Sequence, residues 1–91
     1  MKYYSFEKIL EFYEDYYSVY AEFEHEAYDW CKKNIGLRMF EPYKKHTTFP
    51  TYYIYIENGK WDVSADDTFN PRWIFKNKED AALFKLTWSG L

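Results

Sequence analysis

The chain has 91 residues, of which 47% are hydrophobic and 30% are charged, and its formal net charge is −3. This length suits one domain with a modest core, and the hydrophobic content excludes an intrinsically disordered chain. A lone cysteine, Cys31, excludes an internal disulfide framework, and no apolar run is long enough for a signal peptide or a membrane span. We therefore expect one cytoplasmic domain over residues 1–91, with no membrane partner.

The first thirty residues are unusual in composition. They contain eight acids, eleven aromatic residues and only two lysines, so their formal charge is −6, whereas the rest of the chain carries +3. An uneven charge distribution of this kind indicates a surface of one sign rather than a uniformly mixed one. The sequence thus predicts a strongly acidic N-terminal segment on a mildly basic remainder.

Apolar side chains recur in this acidic segment at alternating spacings of three and four residues, which is typical of an amphipathic helix. Ser5 is a suitable N-cap and Gly36 a suitable terminator, so the pattern predicts one helix over about residues 5–34. Its apolar stripe comprises Phe6, Ile9, Tyr13, Tyr16, Tyr20, Phe23, Ala27 and Trp30. The acids on the opposite side of this helix are Glu7, Glu11, Glu14, Asp15, Glu22, Glu26 and Asp29.

A β-hairpin is predicted over residues 51–65. Thr51–Glu57 is rich in β-branched and aromatic residues, Asn58-Gly59 is typical of a type I′ turn, and Lys60–Ala65 returns antiparallel. A two-residue turn fixes which side chains share a face of the hairpin. The predicted core face comprises Ile54, Ile56, Trp61 and Val63, and the solvated or ligand-facing side comprises Tyr53, Tyr55, Asp62 and Ser64.

The remaining patterns complete an α+β fold. Short strands are predicted at Leu37–Phe40 and at Arg72–Lys76, where Pro71 limits the start of the strand or places it at an edge. Asn77 is a suitable N-cap for a short C-terminal helix, although the alternation of apolar residues over 84–88 leaves a strand there as an alternative. We expect a long N-terminal helix packed on a small three- to four-stranded antiparallel sheet, with a short C-terminal helix.

The uncompensated acids of the predicted long helix are the strongest indication of function. Glu7 and Glu11, for example, are like charges four residues apart, and each such pair destabilises a helix by a few tenths of a kcal/mol. Two interpretations are open: a solvated face that aids solubility, or a docking surface for a partner with a basic surface. No nucleophile lies beside a base in a recognisable arrangement, so we expect no enzyme, no cofactor and no metal site.

The predicted sheet offers an alternative ligand face. Tyr53 and Tyr55 lie on the outer side of the hairpin, and Arg72 and Lys76 share that surface if the next strand pairs alongside. Aromatic rings interleaved with cations can stack bases and hold phosphates, which predicts nucleic-acid or nucleotide binding as the weaker alternative. A further alternative is a homodimer formed through the wide aromatic stripe.

The segment from Trp73 to Trp88 is similar to the C-terminal signature of small uncharacterised accessory proteins of large tailed bacteriophages. The shared features are Asp80-Ala81, then Phe84-Lys85-Leu86, then Trp88, over about sixteen residues. This resemblance implies a viral protein that binds and inhibits a host protein, such as a component of host defence, in the host cytoplasm. It implies no catalytic residues. The combined prediction is a non-enzymatic protein-binding module that uses the acidic helix face.

Overall fold

A computed structural model describes residues 3–22, 24–43, 52–64 and 71–88. Phe23 of the predicted stripe and the outer ends of the predicted hairpin, Thr51 and Ala65, lie outside these ranges. The described residues form three helices and two three-stranded antiparallel sheets, which confirms the α+β class. In chain order the elements are β1 (Tyr3–Tyr4), α1 (Phe6–Tyr13), β2 (Tyr17–Tyr20), α2 (His25–Asn34), β3 (Phe40–Tyr43), β4 (Tyr52–Tyr55), β5 (Trp61–Ser64), β6 (Arg72–Phe75) and α3 (Lys78–Trp88).

The prediction of one long N-terminal helix is wrong, because residues 5–34 fold as a helix, a strand and a second helix. Helix α1 begins as predicted, and the Ser5 hydroxyl accepts a hydrogen bond from the Lys8 amide at 3.3 Å. The helix ends after Tyr13, and the following run Tyr17–Tyr20, rich in tyrosine and valine, suits a strand and pairs with β6. One pair of like charges four residues apart, Glu11 and Asp15, spans the end of α1, and its repulsion disfavours continuation of the helix.

The predicted hairpin is also wrong, because its two arms belong to different sheets. Sheet 1 has the order β1-β4-β3 and sheet 2 the order β2-β6-β5. Met39 lies between the arms: its amide donates to the Trp61 carbonyl at 2.7 Å, and its carbonyl accepts from the Ile56 amide at 2.7 Å. Gly59 does not have the positive φ that a type I′ turn requires. The predicted pairing across Asn58-Gly59 is therefore replaced by contacts of each arm with the segment around Met39.

The strand predicted at Leu37–Phe40 is displaced along the chain to Phe40–Tyr43, where it forms β3 of sheet 1. Arg38 instead makes a single parallel bridge with Trp61 of sheet 2. The short segment from Leu37 to Phe40 thus contacts both sheets in succession. The sequence predicts a single sheet of three to four strands, whereas the structure has two sheets of three strands each.

The C-terminal elements lie close to their predicted positions. Strand β6 begins directly after Pro71, which limits its start as predicted, but it is the central strand of sheet 2 rather than an edge strand. Helix α3 continues through Trp88, so the alternative strand over residues 84–88 is wrong. Residues of α3 contact both β2 and β6, which places this helix across sheet 2.

Two hydrophobic clusters lie on opposite faces of sheet 2, and β6 contributes to both. Trp73 and Phe75 belong to the cluster with α2 and α3, whereas Ile74 belongs to the cluster with α1 and β3; all three side chains are 0% exposed. A strand that is buried on both faces has a continuous run of apolar residues in its sequence, as in Trp73-Ile74-Phe75. The second cluster comprises Ile9, Tyr13, Met39, Phe40 and Ile74.

The thiol of Cys31 is expected to be unreactive in the folded protein. Its side chain is 0% exposed, and burial, with a smaller contribution from Asp80, raises its pKa to about 12. Only the thiolate attacks a disulfide reagent, so labelling at pH 8 should be at least about 100-fold slower in native buffer than in urea. One thiol per chain should react after unfolding, and none in the Cys31→Ala variant. Rapid labelling of the native protein would contradict this expectation.

Candidate functional site

The acids predicted to bind a partner are all exposed, but they do not lie on one helix. Glu11 is paired with Lys8, whose Nζ lies 2.8 Å from its Oε2, and exposed pairs of this kind add little stability. In the structure the acids occupy α1 (Glu7, Glu11), the turn after it (Glu14, Asp15), the connection after β2 (Glu22) and α2 (Glu26, Asp29). The acidic surface is therefore divided, and three of its members, Glu14, Asp15 and Glu22, lie within three residues of the ends of strand β2.

Strand β2 is an edge strand of sheet 2. It pairs with β6 on one side, and within the described ranges no strand pairs with its other side. Tyr17 and Tyr20 are large side chains that are 47% and 58% exposed, and Ser18 is exposed as well. Folded proteins commonly protect such an edge with lysine, proline or a covering element. Neither lysine nor proline occurs in Tyr17–Tyr20.

The backbone of β2 presents hydrogen-bonding groups along this edge. The Ala21 amide donates to the Pro71 carbonyl at 3.4 Å, which makes this a hydrogen-bonded pair in the ladder with β6. Because such pairs alternate along an antiparallel ladder, the N–H and C=O groups of Ser18 and Tyr20 point away from β6. An extended segment can pair with these groups by strand addition.

The predicted ligand face of the hairpin is only partly assembled. Lys76 Nζ donates to the Tyr55 hydroxyl at 2.9 Å and lies 5.2 Å from the centre of its ring. Arg72 lies over the ring of Tyr13 instead, at 5.4 Å, and Tyr53 lines a separate cavity. The four residues do not share one surface because β4 and β6 belong to different sheets. Nucleic-acid binding by this set stays a prediction. Homodimer formation also stays a prediction, although the residues of the aromatic stripe are divided among α1, β2 and α2 rather than lying on one helix.

Asp62 and Ser64, predicted to face solvent or a ligand, are instead 0% and 1% exposed. Asp62 forms an ion pair with Arg38, whose Nε lies 2.5 Å from Oδ1, and the Val63 amide donates to the same oxygen at 2.8 Å. Arg38 also donates to the Val63 carbonyl at 3.3 Å and to the Tyr28 hydroxyl at 3.4 Å. The prediction that Asp62 and Ser64 face outward is wrong because it assumed that β4 and β5 pair as a hairpin, which they do not.

The environment of this ion pair shifts the pKa values of its members. Burial raises the pKa of the Asp62 carboxyl group, and the Arg38 guanidinium offsets only part of that increase. Burial acts to lower the pKa of Arg38, but contacts with the Asp62 carboxylate and the Tyr28 hydroxyl together outweigh it, so the pKa is raised. The pKa of Tyr13 is also raised, first by burial and then by the charge of the neighbouring Asp62 and a side-chain hydrogen bond with it. The group is thus a desolvated polar cluster inside an apolar core.

A cavity of about 350 Å³ lies beside this cluster, between α1, β4 and β5. Phe6 and Tyr53 are half-buried at its wall, with ring centres 6.5 Å apart and planes inclined by 47°. The fully buried Asp62 also lines it; its Oδ2 is sealed from solvent, and the Tyr13 side chain lies beside the carboxylate. The remaining described lining residues are Ile9, Tyr13, Arg38 and Val63.

Other classes of site find no support in the part of the chain that is described. No three His, Cys, Asp or Glu side chains there converge in a way suited to a metal ion, and no helix there is both long and apolar enough to cross a membrane. Comparison of the chain with protein families, curated proteins and solved structures gives no match. Function is therefore inferred from the geometry of the β2 edge.

Proposed function

We propose that the protein is a non-enzymatic binding module that captures an extended basic segment of a partner protein along the edge of β2. The exposed edge is the observation that carries this proposal. Ser18 and Tyr20 direct backbone N–H and C=O groups away from β6, and their side chains are exposed. Main-chain hydrogen bonds supply affinity in strand addition, and the flanking side chains supply selectivity.

The flanking charges favour a basic partner. Glu14 and Asp15 precede β2 and Glu22 follows it, so exposed carboxylates lie at both ends of the strand. Arg72 forms an ion pair with Glu14, but the distance from Nη1 to Oε1 is 3.8 Å and the Glu14 side chain remains 74% exposed. Carboxylates at both ends accelerate the approach of a cationic segment and orient it along the strand.

In this proposal the partner is a host protein and the consequence of binding is inhibition. The choice of a host target follows from the resemblance of residues 73–88 to accessory proteins of tailed bacteriophages, which is drawn from the sequence alone. A host protein loses function when its basic extended segment, needed for its own contacts, is held in sheet 2. No catalytic residue is required, because occupancy of the segment is sufficient.

Charge reversal at the β2 edge is expected to abolish binding. The test variant carries Glu14→Lys, Asp15→Lys and Glu22→Lys, and the matched control carries Glu7→Lys, Glu26→Lys and Asp29→Lys, an identical change in net charge. The probe is a synthetic peptide of alternating lysine and valine, titrated by isothermal calorimetry. We expect the test variant to lose at least about tenfold in affinity and the control to lose much less. Equal losses in both variants would contradict binding at β2.

Backbone pairing has its own test, which uses the Ser18→Pro variant. Proline removes an amide that points away from β6, so the fold is expected to persist while strand addition is blocked. In the wild type, hydrogen exchange at Ser18 and Tyr20 should slow when the peptide is bound.

Affinity capture from a bacterial host lysate identifies the partner. The wild type, Ser18→Pro and the two charge variants are each used as bait. Retention of the same protein by every variant would overturn the proposal.

A further inference from the structure

We infer that the acids flanking β2 exclude a second copy of this chain from the exposed edge, so that the edge stays open for a partner of opposite charge. These flanking acids are Glu14 and Asp15 before the strand and Glu22 and Glu24 after it, and all four side chains are exposed. Only the identity of the partner rests on the proposed function, because the exclusion of a second copy follows from the strand and its charges.

The edge of β2 is complementary to itself. Two antiparallel copies of β2, related by a two-fold axis at Val19, place Ser18 of each copy opposite Tyr20 of the other. Ser18 and Tyr20 are the residues whose N–H and C=O groups point away from β6, so each of these pairs can exchange both of its main-chain hydrogen bonds. Sheet 2 of one copy would then continue into sheet 2 of the other. The backbone alone therefore favours self-association.

Strand β2 lacks the usual barriers to this pairing within its own sequence. Tyr17–Tyr20 contains neither lysine nor proline, and no described strand covers its outer side. The Tyr17 and Tyr20 side chains are exposed and flat, which suits contact with another strand rather than preventing it. The barrier must then come from residues next to the strand.

The flanking acids supply this barrier. Because the paired strands are antiparallel, the segment that enters β2 in one copy lies beside the segment that leaves it in the other. Each end of the pair thus brings the two acids before the strand together with the two acids after it, all negatively charged at neutral pH. Residues 14–24 contain no lysine or arginine, and Arg72, which is paired with Glu14, offsets one charge in each copy. Like charges placed across a strand pair are destabilising, so a second copy is repelled.

The same charges have the opposite effect on a basic segment. A lysine-rich segment and a second copy gain equivalent main-chain hydrogen bonds at the edge, but only the basic segment meets charges of opposite sign. The choice between partner and second copy therefore depends on the flanking charges and not on the backbone.

Neutralisation of the flanking acids is expected to make the protein dimerise. The test variant carries Glu14→Gln, Asp15→Asn, Glu22→Gln and Glu24→Gln, and the matched control carries Glu7→Gln, Asp29→Asn, Glu41→Gln and Glu57→Gln. Both variants lose four negative charges from exposed side chains, so the formal net charge changes from −3 to +1 in each. Sedimentation equilibrium at pH 7 should show self-association at least about tenfold tighter in the test variant than in the control or the wild type. Equal self-association of the three proteins, or none in the test variant, would overturn the inference.

Addition of Ser18→Pro to the test variant locates the contact. Proline removes an amide that points away from β6, so the dimer should dissociate to monomer. Hydrogen exchange at Ser18 and Tyr20 should be slower in the dimer than in the monomer. A dimer that persists with Ser18→Pro would use a different surface, which would contradict pairing at β2.

Salt provides a test on the unaltered chain, which decides the inference if the test variant does not fold. Raising NaCl from about 0.05 M to about 1 M shortens the screening length to about 3 Å, so repulsion between the flanking acids is largely removed. Self-association of the wild type should then strengthen at least about threefold. An unchanged monomer at high salt would count against the inference.

The lysine–valine peptide separates this inference from the proposed function. If the test variant dimerises but the wild type does not bind the peptide, the exclusion of a second copy stands and the basic partner is wrong. If the wild type binds the peptide but the test variant stays monomeric, the partner stands and the exclusion is wrong.

Discussion

Replacement of Gly59 by alanine is expected to destabilise the protein by about 3 kcal/mol or more. Gly59 is buried, and a Cβ atom there would lie 2.5 Å from Met39 Cα, 2.6 Å from the Arg38 carbonyl oxygen and 2.7 Å from the Met39 amide nitrogen. All three are backbone atoms, so no side-chain rotation relieves the overlap. The segment that must move is the one that contacts both sheets, and its displacement disturbs both.

Urea denaturation followed by tryptophan fluorescence measures this loss. The neighbouring residue provides the control, because Asn58 is exposed in the same turn. Asn58→Ala should change the free energy of unfolding by less than about 0.5 kcal/mol. A loss below about 1 kcal/mol in Gly59→Ala would show that the backbone contact with Met39 is not close in solution.

The sequence predicts local features of this fold well. The N-cap at Ser5, the start of β6 after Pro71 and the helix after Asn77 follow from residue chemistry within a few positions, and each is present in the structure. These features were predictable because they depend on neighbours in the chain.

The errors arise where tertiary contacts decide between local alternatives. The run Tyr16-Tyr17-Ser18-Val19-Tyr20 fits both a helical stripe and a strand, and pairing with β6 selects the strand. The β-favouring residues of that run are a signal for a strand, but its position at the edge of sheet 2 depends on the pairing with β6. Asn58-Gly59 resembles a hairpin turn, but the insertion of Met39 between the arms cannot be read from their own residues. The buried position of Asp62 was missed for the same reason.

Replacement of Arg38 by methionine is expected to be the most destabilising change in the polar cluster. Methionine keeps much of the apolar stem but leaves the Asp62 carboxylate buried without its cation. Breaking a buried pair by removal of one partner typically costs about 3–5 kcal/mol at neutral pH. Contacts of Arg38 with Tyr28 and Val63 are lost as well, so α2 and β5 lose a connection. Urea denaturation at pH 7 measures the change.

The pH dependence of the Arg38→Met variant follows from the direction of the Asp62 pKa shift. Burial already raises this pKa above its ordinary value of 3.8, and removal of the guanidinium removes the group that opposes that increase. A carboxyl group with a raised pKa in the folded state stabilises that state when protonated, and this contribution is lost as the pH rises through the folded-state pKa. The deficit of Arg38→Met relative to wild type should therefore shrink between pH 7 and pH 4.

A second substitution separates an unpaired charge from lost packing. In the Arg38→Met/Asp62→Asn double variant no charge remains buried at this position, so part of the stability should return at pH 7, by about 1–3 kcal/mol relative to Arg38→Met. The double variant should also lack the part of the pH dependence between pH 4 and pH 7 that comes from Asp62, because the asparagine side chain does not titrate. If the double variant is no more stable than Arg38→Met, the cost lies in the side-chain packing of Arg38 and not in the charge of Asp62. The ion pair would then serve to fix the position of Arg38 against Tyr28, with the carboxylate itself tolerated in the core.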